Sequence, residues 1–292
     1  MDTRDARRRA SEPMDTLILL IKTVELRPYV FLFLAAFFFS AKALIGWKRT
    51  WLFFGLTWLT AFVCEFSSTR TGIPFGWYSY TGATTGQELY LADIPFMDSL
   101  SFTFLLYASY CLALLFLLPA RQDHPAGRTA RADRVLPVLV FDPVVRSSWP
   151  ALFLTGLFFA FIDIVIDPVA LRGDRWFLGK IYDYPDPGIH FGVPIANYIG
   201  WAIVGLIALT LYFSCDRRLP PLPFHRDEPV TLKLLWGCGL YYGVLAFNWS
   251  VTFWIGEPLL GLTGILIYIP ITALLLLRLF GQAPVRLPHE WR

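Results

Sequence analysis

Two carboxylates four residues apart, Asp163 and Asp167, stand late in an apolar stretch that closes with FIDIVIDPVA. On a helix that spacing puts both on one face. An ionisable side chain at a bilayer centre costs about 2.5–3.5 kcal/mol, so it marks a functional site by default. A third acid, Glu65, lies late in another apolar stretch. Carboxyls at one membrane depth cannot all ionise cheaply, and one that keeps its proton is a general acid. Aromatic loops follow both stretches: Trp77, Tyr78 and Tyr80 after Glu65, then Trp176, Tyr182 and Tyr184 after Asp167. Ring faces steady a cation through their quadrupoles. Acids with aromatic walls in an apolar setting suit chemistry through a carbocation, with Asn197, Asn248 and tyrosine hydroxyls placed to hold water.

The same residues admit plainer accounts. Asp163 and Asp167 would clamp helices together, paired with Arg172 or Arg175, and the aromatics would form an interfacial belt. The pair also resembles half of the Asp-rich magnesium and diphosphate site of intramembrane prenyltransferases, but a second such run is missing. No His-x-x-His or His-Glu-x-x-His spacing occurs, and no metal site is expected. His124, His225 and His289 lie in polar segments and read as solvated, while His190 reads as an interfacial residue that could relay protons. Glu257, just before Pro258, and Asp98, in the first turn after Pro95, read as first-turn capping residues. The scattered Cys64, Cys111, Cys215 and Cys238 read as small core residues. None of the five lysines lies mid-span in the last helix, which argues against a retinal protein.

The chain that must position these residues is 56% hydrophobic and only 16% charged, against roughly 25% charged in soluble domains. Apolar runs of about 20 residues predict an all-α polytopic membrane protein. About seven transmembrane helices are expected, near 27–46, 50–68, 97–118, 149–167, 193–214, 232–252 and 257–279, in one domain over 27–280. Residues 1–15 read as a disordered polar tail, 16–26 as a short amphipathic segment, and 281–292 as a C-terminal tail. The basic, proline-containing segments 119–148 and 215–231 read as cytoplasmic linkers. A polar start without an apolar run and cleavage site gives no expectation of a cleaved signal peptide.

Lys and Arg counts orient the chain in the cell membrane. With the C-terminal tail cytoplasmic, Lys48, Arg49, Arg121, Arg146, Arg217, Arg218 and Arg278 share that side with most other cations. Only Arg70, Arg172, Arg175 and Lys180 fall in the opposite loops. The N-terminal arginines Arg4, Arg7, Arg8 and Arg9 disagree with this orientation. A net charge of +3, with the arginines clustered in loops, suits membrane orientation rather than nucleic-acid binding.

An internal repeat organises the site. Glu65, a Gly-aromatic loop and Ile94-Pro95 before the third helix match Asp163 and Asp167, a second such loop and Val193-Pro194 before the fifth. Each copy crosses the membrane twice, so the copies are parallel and both loops share the face poor in Lys and Arg.

Glu65, Gly72, the run Phe75-Gly76-Trp77-Tyr78-Ser79-Tyr80, Asp163-x-x-x-Asp167-Pro168-Val169-Ala170, Trp176, and Gly192-Val193-Pro194-x-x-Asn197-Tyr198-x-Gly200-Trp201 together resemble the CruF-type carotenoid 1,2-hydratases. This family of carotenoid biosynthesis membrane proteins includes the bisanhydrobacterioruberin hydratases. The resemblance covers roughly residues 50–280. It implies addition of water across C1=C2 of an acyclic carotenoid end, as in lycopene, γ-carotene or a C50 precursor, with no redox cofactor. On that footing Asp163 or Asp167 is the acid. Glu65 or Asn197 holds the water, and Trp77, Tyr78, Tyr80, Trp176 and Trp201 meet the substrate. A non-enzymatic polyisoprenoid or lipid carrier or transporter, or an intramembrane prenyltransferase, are the alternatives.

Overall fold

Pro28 in the first turn and Gly72 just past the end bound the longest helix, α2 (Pro28–Thr71). Both are the residues that helix termini favour. Gly46 interrupts it, with φ +73° and ψ 162°, a backbone state that glycine adopts without penalty. The two expected spans 27–46 and 50–68 are thus the two limbs of one kinked element. The computed structural model describes residues 3–121, 136–222 and 229–281. His124, His225, His289, much of both linkers and nearly all of the C-terminal tail lie outside them.

The remaining helices are α1 (Thr3–Leu26), α3 (Phe96–Leu117), α4 (Trp149–Ala170), α5 (Ile195–Asp216), α6 (Thr231–Trp254) and α7 (Pro258–Phe280). The last five start and stop within three residues of the spans read from hydropathy. This is an all-α multi-span membrane protein. Five of the described helices, α2, α3, α4, α5 and α7, are long and apolar enough to cross a bilayer. α6 falls short of that hydropathy because Gly, Tyr, Trp and Asn248 dilute its apolar content, yet it packs against α2, α3 and α4. α1 takes the polar opening, expected as a disordered tail, into one helix with residues 16–26. Its Arg, Ala, Glu and Leu residues are good helix formers.

α3 is the hub. It is apolar all round, as a fully enclosed helix must be, and packs against α2, α4 and α6. Its buried Thr103 and Ser109 hydroxyls donate back to carbonyls of their own helix, which satisfies them without an outside partner.

The molecule has two distinct ends. One holds the loops 72–95 and 171–194, which pair through β1 (Ser79–Tyr80) and β4 (Tyr182–Asp183) in antiparallel register, Tyr80 opposite Tyr182. The first loop also folds back through β2 (Tyr90–Leu91) and β3 (Ile94–Pro95). The α1–α2 junction sits at this end: Arg27, fully buried, pairs with Glu88 at 2.9 Å and donates to the Leu178 carbonyl at 2.6 Å. Lys22 donates to Gly86 O and Thr23 accepts from Leu89 N–H. The C-terminal end of α1 therefore lies at the same end of the molecule as the two loops.

At the other end, Arg49 and Arg146 both pair with Asp216, and all three are buried. These two arginines, counted from sequence as cytoplasmic loop charges, are internal ion-pair partners instead, because Asp216 at the end of α5 faces both.

Candidate active site

The helix ends bring four carboxylates together under the paired loops. Glu65 lies late in α2 and Asp163 and Asp167 late in α4, while Asp98 and Asn197 occupy the first turns of α3 and α5. Asp98 is the third residue after Pro95, and Asn197 the third after Pro194. Gly200, one turn further along α5, lets the first loop approach: a Cβ there would stand 2.8 Å from Phe75 Cα and 2.9 Å from Pro74 O.

Asp167 accepts hydrogen bonds from three groups: the Tyr182 hydroxyl, the Tyr184 hydroxyl at 2.7 Å and Asn197 Nδ2 at 2.8 Å. Asn197 Nδ2 also donates to Asp163 Oδ2 at 2.6 Å. Asp163 Oδ1 is buried with no hydrogen-bond partner among the described residues. Glu65 accepts from Ser99 and, at 3.2 Å, from Tyr80. The Tyr80 hydroxyl donates more closely to Asp98 Oδ2, at 2.6 Å. Burial, reinforced by Asp167, drives the Tyr182 and Tyr184 hydroxyls far above the ordinary phenol range. Burial does the same to Tyr80, reinforced by Asp98 and Glu65. All three phenols therefore stay protonated donors.

Among the described residues no salt bridge joins these four carboxylates to a cation. Arg172 and Arg175, the expected partners of Asp163 and Asp167, both pair with Glu257. Glu257 occupies the N-cap position of α7, but its side chain makes no capping hydrogen bond. The helix-clamp account through Arg172 or Arg175 fails on that geometry, and so does the capping account of Glu257.

Two cavities meet at this cluster. The larger, about 100 Å³, is mostly apolar and runs between α2, α3, α4 and α6, walled by Tyr29, Phe33, Leu105, Trp176, Val244 and Phe247. The smaller, about 40 Å³, is lined by Glu65, Tyr78, Tyr80, Tyr184, Asn197 and neighbouring rings. That exceeds the 10–15 Å³ or so that a water needs. Asp98, Asp167, Tyr182 and Trp201 line both. Trp201 stacks on Phe102 with ring centroids 4.3 Å apart, which fixes it at the seam.

The structure gathers most of the residues singled out from sequence. Asp167, Glu65, Tyr78, Tyr80, Asn197 and Trp201 line the polar chamber; Trp176, Asn248 and, again, Asp167 and Trp201 line the apolar cavity. Three line neither cavity. Trp77 is 58% exposed, packed over Gly72, and lines neither cavity. Asp163 is fully buried behind Asn197 and also lines neither. His190 contacts the Ile164 carbonyl at 3.2 Å and lines neither cavity. Asp98 was missed as a site residue because a carboxylate in a first turn after proline reads as a cap. Its matching place to Asn197, three residues past the repeat's proline, was the signal available. Tyr182 and Tyr184 likewise bind the central carboxylate, fifteen and seventeen residues after it, as Tyr80 follows Glu65 by fifteen.

A family described as carotenoid biosynthesis protein matches residues 26–270, a range that takes in every residue of this cluster. The bisanhydrobacterioruberin hydratase of Haloarcula japonica is 31% identical over 191 residues, 63% of this chain and 54% of that protein. The chain thus spans about half the length of the curated relative it matches. No solved structure matches it.

Proposed function

The chain belongs to the carotenoid biosynthesis protein family, and from that premise we propose that it adds water across the terminal C1=C2 bond of an acyclic carotenoid end. Lycopene, γ-carotene and a C50 precursor are the substrates to try. The observation that carries this reading is the seam: an apolar cavity and a water-sized polar chamber share Asp98, Asp167, Tyr182 and Trp201. Hydration needs an alkene in a dry site and a water held against it, and the seam offers both.

In this mechanism the ψ-end lies in the apolar cavity with C1=C2 at the seam and the polyene among the helices. A carboxyl protonates C2, and a tertiary cation forms at C1. Trp201, Trp176 and Tyr182 flank the cation with ring faces. Water in the polar chamber, oriented by Glu65 and Asn197, attacks C1 and leaves a tertiary alcohol. Asp167 accepts three hydrogen bonds, the pattern of an acceptor-only carboxylate. It stabilises the cation and takes the attacking water's proton. Asp163 acts from behind, holding Asn197. Addition of water is redox-neutral, and the reaction so written uses no redox cofactor.

The two halves of the site read as copies of one helix–loop–helix unit, with the kinked α2 crossing twice and seven crossings in all. Both acid-bearing helix ends and both aromatic loops then fall at one membrane face.

Expression of the full chain in a lycopene-producing bacterium, with pigments analysed by mass spectrometry, tests the activity. Products heavier by one or two waters support hydration. Unchanged lycopene, γ-carotene and C50 precursor beside well-expressed protein would favour a carrier. A gain of a prenyl group, dependent on prenyl diphosphate and magnesium, would favour a prenyltransferase.

A further inference from the structure

Of the four carboxylates, Asp98 is the one that is not fully buried. Glu65, Asp163 and Asp167 are at most 7% exposed, whereas Asp98 is of intermediate exposure; like Asp167, it lines both cavities. It receives a single side-chain hydrogen bond, from Tyr80 at 2.6 Å, against three for Asp167. A carboxyl with one donor that borders an apolar cavity is placed to give a proton; one that accepts from three donors is placed to accept.

Tyr80 adds direction. Its single hydroxyl proton sits closest to Asp98 Oδ2, and the 3.2 Å contact with Glu65 Oε1 is filled best by a carboxyl proton on Glu65. Ser99 donates to the other Glu65 oxygen, so that arrangement satisfies each atom. The resulting chain of donors runs from Glu65 through Tyr80 to Asp98.

We propose that Asp98 is the catalytic acid, that Asp167 is the base opposite it, and that Glu65 and Tyr80 return the proton to Asp98 between turnovers. This rests on the hydratase reading above. The Asp98 O–H bond breaks and the C1=C2 π pair forms the new C2–H bond, leaving the cation at C1. A water lone pair forms C1–O, and one water O–H bond breaks to protonate Asp167. Glu65 gives its proton to the Tyr80 oxygen as Tyr80 gives its own to Asp98. Asp167 then reprotonates Glu65 through chamber water. The sum is one water added to the alkene, with every carboxyl restored.

Protonation at C2 is separable from hydration. If the cation forms and collapses without capture by water, the alkene returns with solvent hydrogen at C2. Membranes containing the full chain, supplied with lycopene in D2O, therefore report two quantities by mass spectrometry: hydrated product, and deuterium in recovered lycopene. Hydration by the wild-type chain secures the underlying reading independently; its absence with lycopene, γ-carotene and a C50 precursor each supplied in turn would remove that reading, and this assignment with it. Given wild-type hydration, Asp98→Asn is expected to lose both hydration and exchange by at least ~10²-fold, the usual scale of acid–base contributions. Asp167→Asn should lose hydration yet keep exchange. Asp98→Glu, which keeps a carboxyl, should recover measurable exchange. Exchange retained in Asp98→Asn, exchange lost equally in both Asn variants, or an Asp98→Glu variant as inert as Asp98→Asn despite intact folding would each overturn the assignment.

Discussion

Both ends of the molecule bury an aspartate where helices meet, and they satisfy it in opposite ways. Asp216 faces two guanidiniums, Arg49 and Arg146. Asp167 faces two phenols and an amide. Charge neutralisation locks the first: its carboxylate is paired on both sides by guanidiniums. Neutral donors hold the second in place while leaving it free to gain a proton. The same residue type thus serves as a fastener at one end and as a reagent at the other, and the partners decide which.

The largest expected effects test that division directly. Asp216→Asn leaves two guanidiniums buried without their carboxylate, which costs about 3–5 kcal/mol when one partner of a buried pair is removed. Thermal unfolding in detergent should drop markedly, with hydration per folded molecule unchanged. Asp167→Asn should do the reverse, cutting hydration by at least ~10²-fold with little change in unfolding temperature. If Asp167→Asn unfolds the protein while Asp216→Asn leaves its stability untouched, the contrast between fastener and reagent is wrong.

The helices and most of the cluster were legible in the sequence, because hydropathy sets where a residue lies along the membrane normal. The repeat expected from the sequence puts Glu65 and Asp167 near one level and both loops at one end, and both acids do line one chamber beneath loops that pair Tyr80 with Tyr182. What hydropathy does not set is the direction a side chain takes around its helix or loop. Trp77 and Tyr78 are neighbours in sequence, yet Tyr78 is buried in the polar chamber and Trp77 turns out over Gly72. Asp163 and Asp167 share a helix face, yet a one-turn offset puts Asn197 between Asp163 and the chamber. Arg146 lies in a basic segment that reads as solvated, and only the fold brings Asp216 to it. Depth is a property of composition, whereas direction depends on which neighbour packs alongside.

Two smaller effects sharpen the picture of the reactive end. Tyr80→Phe removes the hydroxyl between Glu65 and Asp98 without emptying the pocket. Turnover should fall about tenfold, equivalent to about 1.4 kcal/mol, at the upper end of the range for an ordinary hydrogen bond. Deuterium exchange over a single protonation should be spared, since it needs no return of the proton from Glu65. Asp163→Asn should cost less, about fivefold, because it loosens Asn197 without removing a group from either cavity. A deficit as deep as that of Asp167→Asn would move Asp163 into direct contact with the reaction.

The smallest effect concerns Glu257, which lies near the reactive end but is built like the opposite one. Arg172 at 3.1 Å and Arg175 share its carboxylate, and its partial burial is outweighed by those two cations, so its pKa lies below the ordinary glutamate range. A depressed carboxylate pKa stabilises the fold above the unfolded-state value, about 4.3, and that contribution fades as pH falls through the folded value. The pair is partly solvated, so screening limits its worth to less than about 1 kcal/mol. Glu257→Gln should lower the unfolding temperature slightly at neutral pH, and the gap from wild type should close in acid. Hydration should be unaffected at either pH. A drop in turnover without a drop in stability would mean that the loop 171–194 depends on Glu257 to hold Tyr182 and Tyr184 against Asp167, and that proximity to the chamber outweighs the arginine partners in fixing what a carboxylate does.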